Sequence, residues 1–263
     1  MAALPRCPNC SAEREDEYCP RCGQRRIPPQ ELSARHFLEE VADEITDFRK
    51  NYKTVRTLLA LLRPGLLTAE FLAGRRRPRL SPFKTYLVCA AIFFLSAPLA
   101  GFTLAKMLED DQSGMMRGLA AARAAERHLD QPLFNARFDV RVQSVYTVTL
   151  GAAAVVFALT LQVLFRRQGR PYGAHLMFAL HYTAFMLLVT VLAGLSRRIG
   201  ASIDIAAFGG YILIFPYLIL ALKRVYAESA VATVWKGTVL ILVTMVLNSL
   251  ASFAAIHVTL ALV

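Results

Sequence analysis

Four cysteines stand in two close pairs near the start of the chain, Cys7-x-x-Cys10 and Cys19-x-x-Cys22, in the stretch CPNCSAEREDEYCPRCGQ. Each pair sets two thiolates on one tight turn, and two such turns facing each other offer four sulfurs to one tetrahedral ion. The Pro and Gly neighbours favour knuckle turns whose backbone amides point at sulfur. Only SAEREDEY separates the pairs. That is too little chain to build a core, so metal binding and folding of this unit are expected to be one event. Coordination by four cysteines leaves no open position for water or substrate, which makes one structural Zn2+ the leading reading. Iron in a rubredoxin-like site and reversible thiol chemistry are the alternatives. Cys89 lies in an apolar stretch and reads as a packing residue.

A second set of chemically able side chains lies in apolar surroundings, where polar groups are costly and mark candidate functional positions. His175 and His181, six residues apart, are about 120° apart around a helix, so they cannot chelate one ion alone. With Gln162 and Asn248 they form a candidate intramembrane polar site. Interhelical hydrogen bonding is the simplest role for His181 and Asn248, and His175 reads as a headgroup or loop contact at the membrane boundary. No His/Glu pair at metalloprotease spacing, no nucleophile elbow and no phosphate loop occurs, so no catalytic residue is assigned and an enzyme is not expected.

These groups need elements to hold them, and composition says which. The 263 residues are 56% hydrophobic with a formal charge of +11, more apolar than soluble domains usually are. Several stretches from Tyr86 onward approach or exceed the roughly 20 apolar residues that cross a bilayer as helix. No apolar run precedes the cysteines, so a cleaved signal peptide is not expected and the N-terminal segment should stay cytoplasmic. In that reducing compartment clustered cysteines argue for metal over disulfides.

The expected fold is an all-α polytopic membrane protein of about five transmembrane helices with a small N-terminal four-cysteine zinc ribbon and an amphipathic helical arm. The divisions are 1–27 for the ribbon, 28–84 for the arm and a basic collar, and 85–263 for the membrane domain. Residues 1–84 carry 16 Lys/Arg against 11 Asp/Glu. Ser33 can cap the arm. Leu38, Val41, Ile45, Phe48, Tyr52, Val55, Leu59 and Leu62 then recur at steps of three and four, and Pro64-Gly65 ends the pattern. This helix is expected to pack on the protein's own body or lie on the bilayer surface, with self-association into a homo-oligomer as the alternative. Arg75, Arg76, Arg77, Arg79 and Lys84 form a membrane-surface basic collar. Lacking interleaved aromatics, it fits anionic lipid heads better than nucleic acid.

Spans are expected at 86–104, 144–165, 174–195, 203–222 and 237–263, with Pro98 kinking the first. The segment 105–143 falls on the outer side. From Ala105 to Arg141 it holds six basic and six acidic residues, and it is expected to include an amphipathic helix. RRQGR after the second span, and Lys223, Arg224 and Lys236 later, mark cytoplasmic ends. Arg197 and Arg198 on the outer side break the charge bias. Alternation puts the N-terminus inside and the C-terminus outside.

The order of cysteine unit, helical arm, TVRTLLALLRPGLLTAEFLAGRRRPRLSPFKTYL and the histidine-bearing HLMFALHY resembles the bacterial membrane family known as domain of unknown function 3667. The matching positions are Arg63, Pro64, Gly65, Gly74, Arg75 and Pro82, with His175 and His181. The resemblance implies a cytoplasmic zinc ribbon on a small helical membrane domain and supplies no reaction. The first functional expectation is therefore a scaffold, assembly or regulatory protein of the bacterial inner membrane whose ribbon binds a cytosolic protein partner. The second is a small-solute or metal-ion permease, and the third a membrane enzyme acting on lipid headgroups. A connected polar cavity favours the latter two, and a filled apolar bundle favours the first.

Overall fold

A computed structural model describes residues 5–13, 15–25, 51–99, 103–196 and 203–263. The cap at Ser33, the stripe positions Leu38, Val41, Ile45 and Phe48, and the pair Arg197 and Arg198 lie outside the described residues. The α-helices are α1 Asn51–Leu61, α2 Leu66–Leu72, α3 Pro82–Ser96, α4 Leu104–Asp110, α5 Met115–Glu126, α6 Gln131–Leu164, α7 Tyr172–Ser196, α8 Ile203–Tyr226 and α9 Ala230–Leu262. The described residues contain no strand, only two isolated β-bridges in the cysteine unit.

Among the described residues three helices, α6, α7 and α9, are long and apolar enough to cross a membrane. Among these α7 is the most enclosed and occupies the centre, packed by α2, α3, α6 and α8, while α9 closes the bundle against α6 and α8. Aromatic stacks lock the interfaces: Phe157 on Tyr182 at 5.3 Å and Phe185 on Tyr217 at 3.5 Å between ring centroids.

Helix ends depart from the hydropathy-based spans, each time for a local reason. The helix of the first expected span, α3, starts at Pro82, before the expected Tyr86, because the Ser81 hydroxyl accepts from the Lys84 amide and Pro82 sits in the first turn, where its missing N–H costs nothing. It stops at Ser96, so Pro98 lies beyond its end rather than kinking it. Its 15 residues reach about 22 Å. α6 begins well before the expected 144 and runs 34 residues, about 51 Å. Its polar first turns leave the apolar band and join α4, α5 and the end of α9 in a second core of Leu104, Leu108, Phe134, Phe138 and Leu260. Residues 104–143 thus hold two helices and the start of a third. α9 likewise starts at Ala230 rather than Gly237. Ser229 caps it through the Ala232 amide, and Lys236 is neutralised by Glu228 at 2.7 Å.

Candidate metal centre and its seat on the helical body

The cysteine unit is two copies of one knuckle, twelve residues apart. In the first, the Cys7 amide donates to Ala12 O and the Ser11 amide to Cys7 O; in the second, Cys19 donates to Gln24 O and Gly23 to Cys19 O. One β-bridge closes each, Arg6 with Glu13 and Tyr18 with Arg25. The fifth position of each knuckle is left-handed, filled by Ser11 and by Gly23. Facing one another, the copies bring Cys7 Sγ within 3.7 Å of Cys22 and Cys10 within 3.6 Å of Cys19. All four ligand atoms lie within 4.8 Å of one another. Four sulfurs at about 2.3 Å from one tetrahedral zinc stand about 3.8 Å apart, so this donor set fits such an ion, and none of the cysteines is in a disulfide. Amide hydrogen bonding from Cys22, reinforced from Arg21, holds the Cys19 thiol down to about 6 against the opposing effect of burial, while, against the amide of Ala12, burial and the neighbouring sulfurs push Cys10 up to about 11.

The unit is seated on the loop between α2 and α3. Gln24, buried, donates through Nε2 to Gly74 O at 2.6 Å and accepts on Oε1 from the amides of Arg76 (3.3 Å) and Arg77 (3.4 Å). Arg77 Nη1 returns a bond to Gly23 O at 2.8 Å. Gly74, at φ +78°, lies so close that a Cβ there would stand 3.0 Å from the Pro8 ring. Part of the basic collar is therefore turned inward. Arg79 pairs with Glu70 at 2.8 Å with little exposure and also bonds Arg56 O, and the Arg76 guanidinium lies over Phe71. Arg75 remains exposed and Lys84 half-buried.

The same segment grips the bundle. α1 and α2 form a hairpin whose turn lies on the last turns of α8: Tyr217 Oη donates to Leu61 O at 2.8 Å and Arg224 donates to Pro64 O. Gly65 has φ +69°, and a Cβ on it would meet the Ala221 backbone at 2.8 Å. Only glycine fits there on both counts. Two residues along α2 from Leu66, Thr68 bonds His181 Nδ1 at 3.0 Å, and Phe71 meets the same ring edge-on. The pieces that carry the family resemblance thus touch one another.

Residues 52–94 match the family model described as "Protein of unknown function (DUF3667)". This match supports the family read from the sequence. It runs from α1 nearly to the end of α3 and so takes in the RPG turn, Thr68, the ribbon's seat and the Arg79–Glu70 pair. No curated protein and no solved structure matches the chain.

Outside the DUF3667 match, the candidate polar residues do not converge. His175 is buried, and its Nδ1 bonds Tyr226 Oη at 2.7 Å with the rings nearly parallel. It is a contact between α7 and α8 rather than a headgroup contact. Tyr226 is further held by Phe165, stacked at 3.8 Å, and by Arg170 above its ring. His181 is directed to α2. Asn248, half-buried, lines a cavity of about 20 Å³ with Tyr182, Thr244 and apolar neighbours. Gln162 is half-buried on α6 and lines none of these. Sequence reasoning passed over Gln24, Thr68 and Tyr226. The twelve-residue repeat CPNC/CPRC was the available signal for Gln24, since it marks the residue that follows the left-handed position of the second knuckle.

Proposed function

We propose that the chain is a bacterial inner-membrane protein of about five spans, α3 and α6 to α9, with its N-terminus cytoplasmic and its C-terminus outside. One structural zinc folds the cysteine ribbon, and the ribbon presents a binding surface for a cytosolic protein partner. The protein acts as a scaffold, assembly factor or regulator. The observation that carries this reading is the seat of the ribbon. Gln24 and Arg77 clamp the unit to the loop that leads into α3, while the linking stretch Glu15, Asp16, Glu17 and Tyr18 stays exposed. A module fixed to a membrane body with an exposed acidic stretch suits recruitment.

The interior supports the same reading over a permease. A cavity of about 20 Å³ beside Asn248 has room for about one water and not for a solute path. His175 and His181 each spend Nδ1 on a hydrogen bond to another helix, while the buried Nε2 of His181 has no partner among the described residues. A photoreactive side chain in place of Tyr18, in cells, tests the reading. The expected result is a cross-link to a cytosolic protein that disappears in Cys22→Ser while membrane insertion persists. Cross-linking indifferent to Cys22→Ser would sink the proposal.

A further inference from the structure

α1 is apolar on two faces. Thr57, Ala60 and Leu61 turn inward and are buried, whereas Tyr52, Val55, Leu59 and Leu62 form an outward stripe at 70%, 56%, 61% and 55% exposure. These are the last four positions of the heptad pattern, and among the described residues nothing covers them. We infer that this stripe is a lipid-contacting surface: the α1–α2 hairpin is wedged beside the spans, with its outer face at the boundary of headgroups and acyl chains of the same bilayer.

Three observations select the bilayer as occupant. The first is depth. Leu61 is tied to Tyr217, nine residues before the Tyr226 end of α8, and Thr68 to His181, nine residues after the Tyr172 start of α7. At 1.5 Å per residue both lie about 14 Å inside the ends of those helices, and Gly65 against Ala221 lies about 8 Å inside. An interfacial helix buries its apolar face about 5–10 Å into that boundary. The second is exposure, for the stripe is as exposed as Leu213 and Leu220 on α8, the helix on which the hairpin turn lies, at 51% and 55%. The third is charge. Residues 51–63 contain Lys53, Arg56 and Arg63 and no acid; Arg56 and Arg63 are exposed beside the stripe, and Arg56 lies over the Tyr52 ring at 5.3 Å. Cations flanking an apolar stripe suit anionic headgroups, while a seam with a second copy would want acids beside it as well.

The test uses the full zinc-loaded chain in proteoliposomes containing anionic lipid. Trp235, the single tryptophan, is replaced by Phe, and Val55→Trp and Leu59→Trp are made separately on that background. Both positions are surface sites, and retained zinc reports that each variant is folded. The inference expects blue-shifted emission, quenched several-fold more strongly by lipid brominated along the acyl chain than by aqueous iodide, at both positions. Strong iodide quenching with no effect of brominated lipid overturns it in favour of a water-facing helix. Protection from both quenchers, lost on diluting protein into excess lipid, overturns it in favour of a second copy.

Discussion

Replacing Gln24 by Ala should release the ribbon from its seat without unfolding it. The side chain makes three hydrogen bonds to the 74–77 loop, one short and two near the distance limit. At about 1 kcal/mol net for a good bond and less for the long pair, its loss costs about 2 kcal/mol, or about thirtyfold in the ratio of seated to unseated forms. The Gln24 carbonyl that accepts from the Cys19 amide survives the substitution, so the knuckle itself should stay intact. Limited trypsinolysis of the 74–77 loop reads the effect, because cleavage there follows the population of the open form. Cleavage after Arg76 should speed up by about thirtyfold with zinc content unchanged. Unaltered cleavage would mean that Arg77–Gly23 and the Pro8–Gly74 contact hold the ribbon alone. Loss of zinc would mean that Gln24 supports the ribbon's fold rather than its attachment; either result refutes the reasoning.

Other substitutions probe single steps of the same argument. Gly65→Ala forces a side chain into a left-handed position and into the Ala221 backbone. It should lower the thermal midpoint in detergent by more than the roughly 1 kcal/mol of the conformational penalty alone, read by the fluorescence of the unfolding protein. Thr68→Val keeps the volume and removes the partner of His181, for an expected loss of about 1 kcal/mol; an unchanged midpoint would show that the bond carries no stability. Ser11 holds the left-handed angle that Gly23 holds in the sister knuckle, so Ser11→Gly should relieve up to about 1 kcal/mol and slow zinc release to a chelator, with faster release as the contrary result.

The four-cysteine cluster and the apolar helices were legible because each rests on a local pattern: a repeated C-P-x-C for the knuckles and long apolar runs for α6, α7 and α9. Helix ends were less so. Apolar counting stops where side chains turn polar, but a helix goes on until its backbone is capped or blocked, as Ser229 and Pro98 illustrate. The seat of the ribbon was not legible at all. Gln24 to Gly74 and Thr68 to His181 join residues 50 and 113 positions apart, and no periodicity in one segment names its partner in another. The arginine collar misled for a related reason. Five cations in a short run read as one lipid-facing patch, yet Glu70, nine residues before Arg79, and the Gly23 carbonyl, 54 before Arg77, turn those two arginines to structural duty.

The most direct test of a ribbon that carries one structural metal, apart from the buried histidines, is metal content per chain by mass spectrometry on detergent-purified protein. About one zinc is expected in the unaltered chain and in His175→Ala/His181→Ala, and none in Cys7→Ser/Cys22→Ser. A second equivalent that vanishes with the histidines, or zinc that survives loss of both cysteines, would contradict it.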